Sequence, residues 1–119
     1  MATLVPTLTL TSDAGDISSD ALNLSVTDSL TINQKVITPS KIKLSTGDLT
    51  LFASASYSRA YVYLKNLDTS IAMDIDFGST ASLNIQPLEF AFFPWHASQN
   101  IVATADSGTP YLEYAIFEA

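Results

Sequence analysis

The sequence predicts an all-β fold, an antiparallel β-sandwich and most simply a jelly roll, built from eight or nine short strands. Three observations carry this. Apolar and polar residues alternate at period two along most of the chain, turn-forming residues punctuate those runs, and no stretch supports a helix longer than a turn. The composition agrees. With 119 residues and 47% hydrophobic content the chain reads as a single domain, 1–119, with one core. Charged residues are only 14%, and 15 Ser and 13 Thr stand in their place. Neutral hydroxyls suit the outer faces of pleated strands.

Element by element, the first run is "TLTLT", where Leu8 and Leu10 alternate with Thr7, Thr9 and Thr11. "SDAGDISSD" breaks it with turn formers. From Ala21 to Asn33 the even positions are Leu22, Leu24, Val26, Asp28, Leu30 and Ile32, and the odd ones are polar. This is one long two-faced strand, or two in line with a break at "TDS". Pro39 marks an edge or a connection. "KIKLSTGDLTLFA" reads as a hairpin around "STGD", and "RAYVYLKNLDTSIAMDIDFG" as a second. In the second, a four-residue loop would set Val62 opposite Ile75 and Leu64 opposite Met73 as an inner face. Tyr61 and Tyr63 would then share an outer face with Asp74 and Asp76. Strands continue through "SLNIQ", "LEFAFF" and "NIVATA" to the closing "TPYLEYAIFE".

Few places look like sites. Asp74 and Asp76 point two carboxylates one way, but a hairpin face supplies too few oxygens for calcium, and cross-strand partners in Arg59 and Lys65 account for both residues. No metal site and no cofactor site is expected. The four glycines are dispersed among turns, there is no G-x-S-x-G elbow, and a lone His96 among many serines does not define a triad. The expected role is non-enzymatic, with no catalytic residues. "LEFAFFPWHAS" holds the only Trp and the only His, side by side. In one reading Leu88, Phe90 and Phe92 line the buried face, Pro94 ends the strand, and Trp95 with His96 forms a corner capping the core. In the other, Phe93, Trp95 and His96 protrude as an aromatic contact patch.

The N-terminal stretch 1–12 admits two readings as well. Leu4, Val5 and Leu8 are apolar, Pro6 interrupts them, and no preceding turn offers Leu8 a local partner. The segment is therefore an extended arm that contacts a neighbouring subunit, or else an ordinary first strand of the sandwich. The net charge of −7 with five basic residues argues against nucleic acid and against an anionic membrane surface. There is no Cys, and neither a signal peptide nor an apolar run of membrane-spanning length is visible, so cytoplasmic synthesis is expected.

The segments "AYVYLKNLDTSIAMDIDFG", "IQPLEFAFFPW" and "SGTPYLEYAIFE" resemble small virion structural proteins of tailed bacteriophages, with Leu88 where such proteins often place Gly. The hydroxyl-rich "SDALNLSVTDSLTIN" is similar in style to their leading strands. The resemblance covers about half the chain well. It implies a jelly-roll capsid decoration, or cement, protein on the outer surface of the virion head, made in the host cytoplasm. Its implied partners are the major capsid protein and further copies of itself in a homotrimer. A tail or fibre component binding a host carbohydrate is the alternative, with the Tyr61, Tyr63, Asp74 and Asp76 face as its platform. The interface candidates are thus Leu4, Val5, Leu8, Tyr61, Tyr63, Phe93, Trp95 and His96.

Overall fold

The computed structural model of the protein describes residues 2–12, 22–33 and 36–119. The chain divides into two compact units, Met1–Gln34 and Lys35–Ala119.

The first unit is a two-stranded antiparallel ribbon. Its strands are β1 (Ala2–Leu4), β2 (Thr7–Thr11), β3 (Asn23–Thr27) and β4 (Leu30–Ile32). β2 pairs with β3, setting Leu8 against Val26 and Leu10 against Leu24. β1 pairs with β4, setting Ala2 against Ile32 and Leu4 against Leu30. One register runs through both ladders. The break between them falls where Pro6 has no N–H to donate, and there the Pro6 carbonyl accepts from the Asp28 amide at 3.3 Å. The break expected at "TDS" is therefore real, and residues 22–32 keep their alternation across it. The partner is what alternation did not identify: strand 2–11 pairs locally, with the segment that follows it. The expected turn over 12–20 lies, from residue 13 onward, outside the described residues.

The second unit is the sandwich. Its strands are β5 (Val36–Lys43), β6 (Leu49–Phe52), β7 (Ala60–Asn66), β8 (Met73–Phe77), β9 (Thr80–Ile85), β10 (Phe90–Trp95), β11 (Ile101–Ala105) and β12 (Tyr111–Glu118). The pairing is nested: β8 with β9, β7 with β10, β6 with β11, β5 with β12, all antiparallel. Folded over, this gives one sheet in the order β10-β7-β12-β5 and a second in the order β6-β11-β8-β9. Such wrapping is that of a jelly roll. Across the described residues the strands number twelve, eight of them in the sandwich, against the eight or nine expected.

Alternate residues of both sheets meet in the core. Val62, Leu64, Leu112 and Ile116 come from the β7 sheet and Met73, Ile75, Ile101 and Ala103 from the β8 sheet, all with no or almost no exposed surface. Val62, Leu64, Met73 and Ile75 thus form the inner face the alternation predicts. The hairpins expected there do not exist, however. β5 and β6 lie in different sheets, as do β7 and β8, so "STGD" and "LDTS" are arches that carry the chain across the core. An arch and a hairpin place the same parity inward, so the binary pattern fits both. Pro39 sits in the edge strand β5, where the ladder to β12 shifts register between Tyr114 and Ile116, as a strand proline requires.

The β7–β8 arch is held by side chains. Asn66 is fully buried at the end of β7. Its Nδ2 donates to the carbonyls of Ile71 at 2.8 Å and Ile85 at 3.1 Å, and its Oδ1 accepts from the Asp68 amide at 2.9 Å. Asp68 Oδ1 in turn accepts from the amides of Ser70 and Ile71, both at 2.8 Å. Those donors hold the Asp68 carboxyl below its ordinary range.

Candidate functional site

The aromatic stretch at Leu88–His96 resolves against the expected parity. Phe90 and Phe92 face solvent, at 62% and 40% exposure, while Ala91, Phe93 and Trp95 face the core. The run "FAFFPW" is apolar at both parities, so alternation alone cannot choose its face. Trp95 decides it. Its indole is buried against the rings of Phe52 and Tyr57, at centroid distances of 6.3 and 5.9 Å. Phe93 meets Phe77 edge to face at 5.8 Å. Of the three residues in the proposed protruding patch, only His96 is exposed. Pro94 does not end the strand: it pairs with Tyr61 within β10, an edge strand whose free side tolerates a missing donor.

Leu88 is exposed as well, at φ +66°. Gln86, Pro87, Leu88 and Glu89 form a β-turn closed by the Glu89 amide donating to the Gln86 carbonyl at 3.1 Å. A proline followed by a residue at positive φ is the type II pattern, which favours Gly in the position Leu88 occupies. Beside it, Leu83–Ile85 and Leu88–Ala91 line a shallow cleft of about 500 Å³ between the edge strands β9 and β10. The cleft's one carboxylate, Glu89, accepts from the Gln86 amide at 2.8 Å.

The outer face of the β7 sheet holds the densest group of functional side chains. Cross-strand register builds it row by row. Phe90, Lys65, Glu113 and Lys41 form one row across all four strands. Phe92, Tyr63 and Ala115 form the next, and Pro94, Tyr61 and Phe117 the third, with Tyr111 and Lys43 paired at the other end. Tyr61 is packed between neighbours: its ring stacks on Phe92 at 6.3 Å, and the Arg59 guanidinium lies 5.2 Å from its centroid. Tyr63 donates its hydroxyl to Glu113 Oε1 at 2.8 Å. Burial first, then that bond and the carboxylate charge, push the Tyr63 phenol up to about 12. Four of the five basic residues, Lys41, Lys43, Arg59 and Lys65, therefore gather on one aromatic face of a protein with net charge −7.

The opposite outer face, on the β8 sheet, is acidic and hydroxylic. Asp74 accepts from Asn84 Nδ2 at 2.7 Å and Asp48 from the Thr104 hydroxyl at 2.8 Å. Asp76 sits on the same strand face, opposite Val102 and Ala81. The expected platform of Tyr61, Tyr63, Asp74 and Asp76 is thus divided between the two sheets, and Arg59 and Lys65 are not partners of these aspartates. Among the described residues no three His, Cys, Asp or Glu side chains gather as a metal-binding group. No helix there is long and apolar enough to cross a membrane.

On the ribbon, Leu4 is half-buried, while Val5 and Leu8 are exposed. They belong to a larger set that the N-terminal reading missed: Leu10, Leu22, Leu24 and Val26 are also exposed. The even parity shared by all of them but Val5, visible in the sequence, was the available signal. No protein-family model, curated protein or solved structure matches the chain.

Proposed function

We propose that this protein is a non-enzymatic structural component of a tailed-phage virion. It decorates the outer surface of the head and stabilises it by bridging neighbouring copies of the major capsid protein. The observation that carries this reading is the outer face of the β7 sheet, where exposed Phe90, Phe92 and Tyr111 lie among Lys41, Lys43, Lys65 and Arg59. Aromatic and Arg anchors with surrounding charge are the make-up of a protein-binding surface. The positive field of this face on an acidic protein selects an acidic partner and orients the approach. Many copies held in one shell gain avidity from fixed geometry, so each contact need not be strong. A homotrimer matches positions where capsid subunits meet in threes. The carbohydrate-binding tail reading has no comparable support, because its tyrosines and aspartates lie on opposite faces.

The test is binding to purified heads of the encoding phage from which this protein has been stripped. The wild-type chain is expected to rebind to saturation. The Lys65→Glu, Phe92→Ser double variant is expected to lose affinity by at least about tenfold, as removal of a charged and an aromatic anchor predicts. Failure of the folded wild-type protein to bind stripped heads overturns the proposal.

A further inference from the structure

Among the described residues the sandwich has four edge strands, β5 and β10 in one sheet and β6 and β9 in the other. An unpaired edge is a template for a further strand unless charge, proline, a bulge or shortness blunts it. β5 carries Pro39, Lys41 and Lys43, β6 has four residues, and the β9 ladder shifts register between Ile75 and Asp76. β10 has six residues, none of them ionisable, and exposes Phe90 and Phe92. Its one guard is Pro94, near its C-terminal end.

Register decides which backbone groups of β10 are free. Antiparallel partners alternate between pairs that exchange both bonds and pairs that exchange none. The Asn66 amide donates to the Glu89 carbonyl at 3.0 Å, so the bonded series continues through Ala91–Leu64 and Phe93–Val62. Phe90, Phe92 and Pro94, opposite Lys65, Tyr63 and Tyr61, then turn their backbone groups away from β7. The far side of β7 agrees, since the Leu67 amide donates to the Tyr111 carbonyl at 3.1 Å and odd-numbered residues bond β12. Pro94 thus stands where no N–H is needed. The N–H groups of Phe90 and Phe92 and the carbonyls of all three point out of the sheet edge.

Beside this edge lies the cleft between β9 and β10, lined by apolar Leu83, Ile85, Leu88 and Ala91. Its polar side chains are already engaged. Asn84 donates to Asp74 and accepts from Gln86, and Glu89 accepts from the Gln86 amide. The polar groups left for a ligand are main-chain ones, in a row at strand spacing. Such a row, flanked by an apolar trough, complements an extended polypeptide and not a compact small molecule.

We propose that β10 takes up an extended segment of the partner protein as a fifth strand of the four-stranded β7 sheet. Alternate apolar side chains of that segment seat in the cleft, and its other side chains extend the aromatic and basic outer face. The inference rests on the decoration reading and deepens it, since the segment then belongs to the major capsid protein. Backbone bonds to Phe90, Phe92 and Pro94 supply affinity, and the cleft selects a segment with apolar residues at every second position.

The test is amide hydrogen exchange of the full-length protein, free and bound to stripped heads, read at single residues by fragmentation mass spectrometry. The Phe90 and Phe92 amides are expected to exchange fast in the free protein and at least about tenfold more slowly on heads. The Ala91 and Phe93 amides, bonded to β7, stay slow in both states. A pair of variants isolates the backbone bond from the aromatic ring. Phe92→Ala removes the ring and keeps the N–H, whereas Phe92→Pro removes both at a position whose N–H the β7 ladder does not use. Phe92→Pro is expected to bind heads about five- to tenfold more weakly than Phe92→Ala. Trp95 fluorescence checks that both variants are folded, and the exchange measurement on the wild type stands if the proline variant is not. Binding to heads with the Phe90 and Phe92 amides still fast, or equal affinity of the two folded variants, overturns the strand addition and leaves the decoration reading in place. Slow exchange of these amides already in the free protein assigns the edge to a second copy and overturns it too. Absence of binding overturns both.

Discussion

Replacing Asn66 by Ala removes three hydrogen bonds from the joint between the two sheets. The Ile85 carbonyl, in a buried position, and the Ile71 carbonyl and Asp68 amide, in half-buried ones, each lose the bond that Asn66 makes to them. A buried group stripped of its partner costs about 1–3 kcal/mol. With about 2 for the buried carbonyl and about 1 for each half-buried group, the sandwich loses about 4 kcal/mol. At roughly 4–8 °C per kcal/mol for a unit of this size, its melting point falls by about 15–30 °C. Fluorescence of Trp95 is the natural readout. It is the only tryptophan and lies in the sandwich core, so it reports on that unit and not on the ribbon. Asn66→Asp sharpens the test. It keeps an acceptor for the Asp68 amide but turns a carboxylate oxygen toward two carbonyls. Burial and those carbonyls raise its folded pKa, so the proton bound at low pH restores one donated bond. Stability of this variant relative to wild type is greatest at acid pH and is lost as pH rises. A loss below about 1 kcal/mol for Asn66→Ala refutes the assignment of Asn66 as the tie between the sheets.

Three further outcomes follow from the same geometry. Ile116→Ala, at a site with no exposed surface, is expected to cost about 2–5 kcal/mol in chemical denaturation; a cost below 1 would mean that the β12 inner face is not core. Leu88→Gly relieves the positive φ of the Gln86–Glu89 turn and is expected to raise stability by about 0.5–1 kcal/mol net of the glycine's greater unfolded entropy, so a lowered melting point contradicts the turn assignment. Tyr63 has its phenol raised from 10.0 to about 12, so the stability it contributes is fully present below pH 10 and is lost as pH rises from 10 through 12. Tyr63→Phe is expected to flatten that alkaline loss, and an unchanged profile would deny the Glu113 bond its role.

How far the sequence could be read depends on which physical signal each element left. Period-two alternation in "AYVYLKN" and "MDIDF" placed Val62, Leu64, Met73 and Ile75 in the core, because alternation follows burial whatever the connection. It could not separate hairpin from arch, since that choice rests on loop hydrogen bonds such as those of Asn66 and Asp68. Asn66 itself was legible: it shares inward parity with Val62 and Leu64, and a polar residue there implies satisfied bonds. Phe90 and Phe92 were misplaced because their strand is apolar on both faces and the buried Trp95 alone fixes its sense. The grouping of four cations on the β7 sheet depends on pairing between strands far apart in sequence, which no local pattern carries. The ribbon's leucine face was visible as even-numbered residues in two runs, but its pairing of 7–11 with 23–27 was not.

The central claim is that this chain coats a phage head in many copies, and the most direct measurement is its copy number in purified virions of the encoding phage, by quantitative mass spectrometry against the major capsid protein. Decoration requires hundreds of copies per particle, located in the head fraction after heads and tails are separated. A count of a dozen or so, travelling with the tails, or its absence from the particle, would contradict the account.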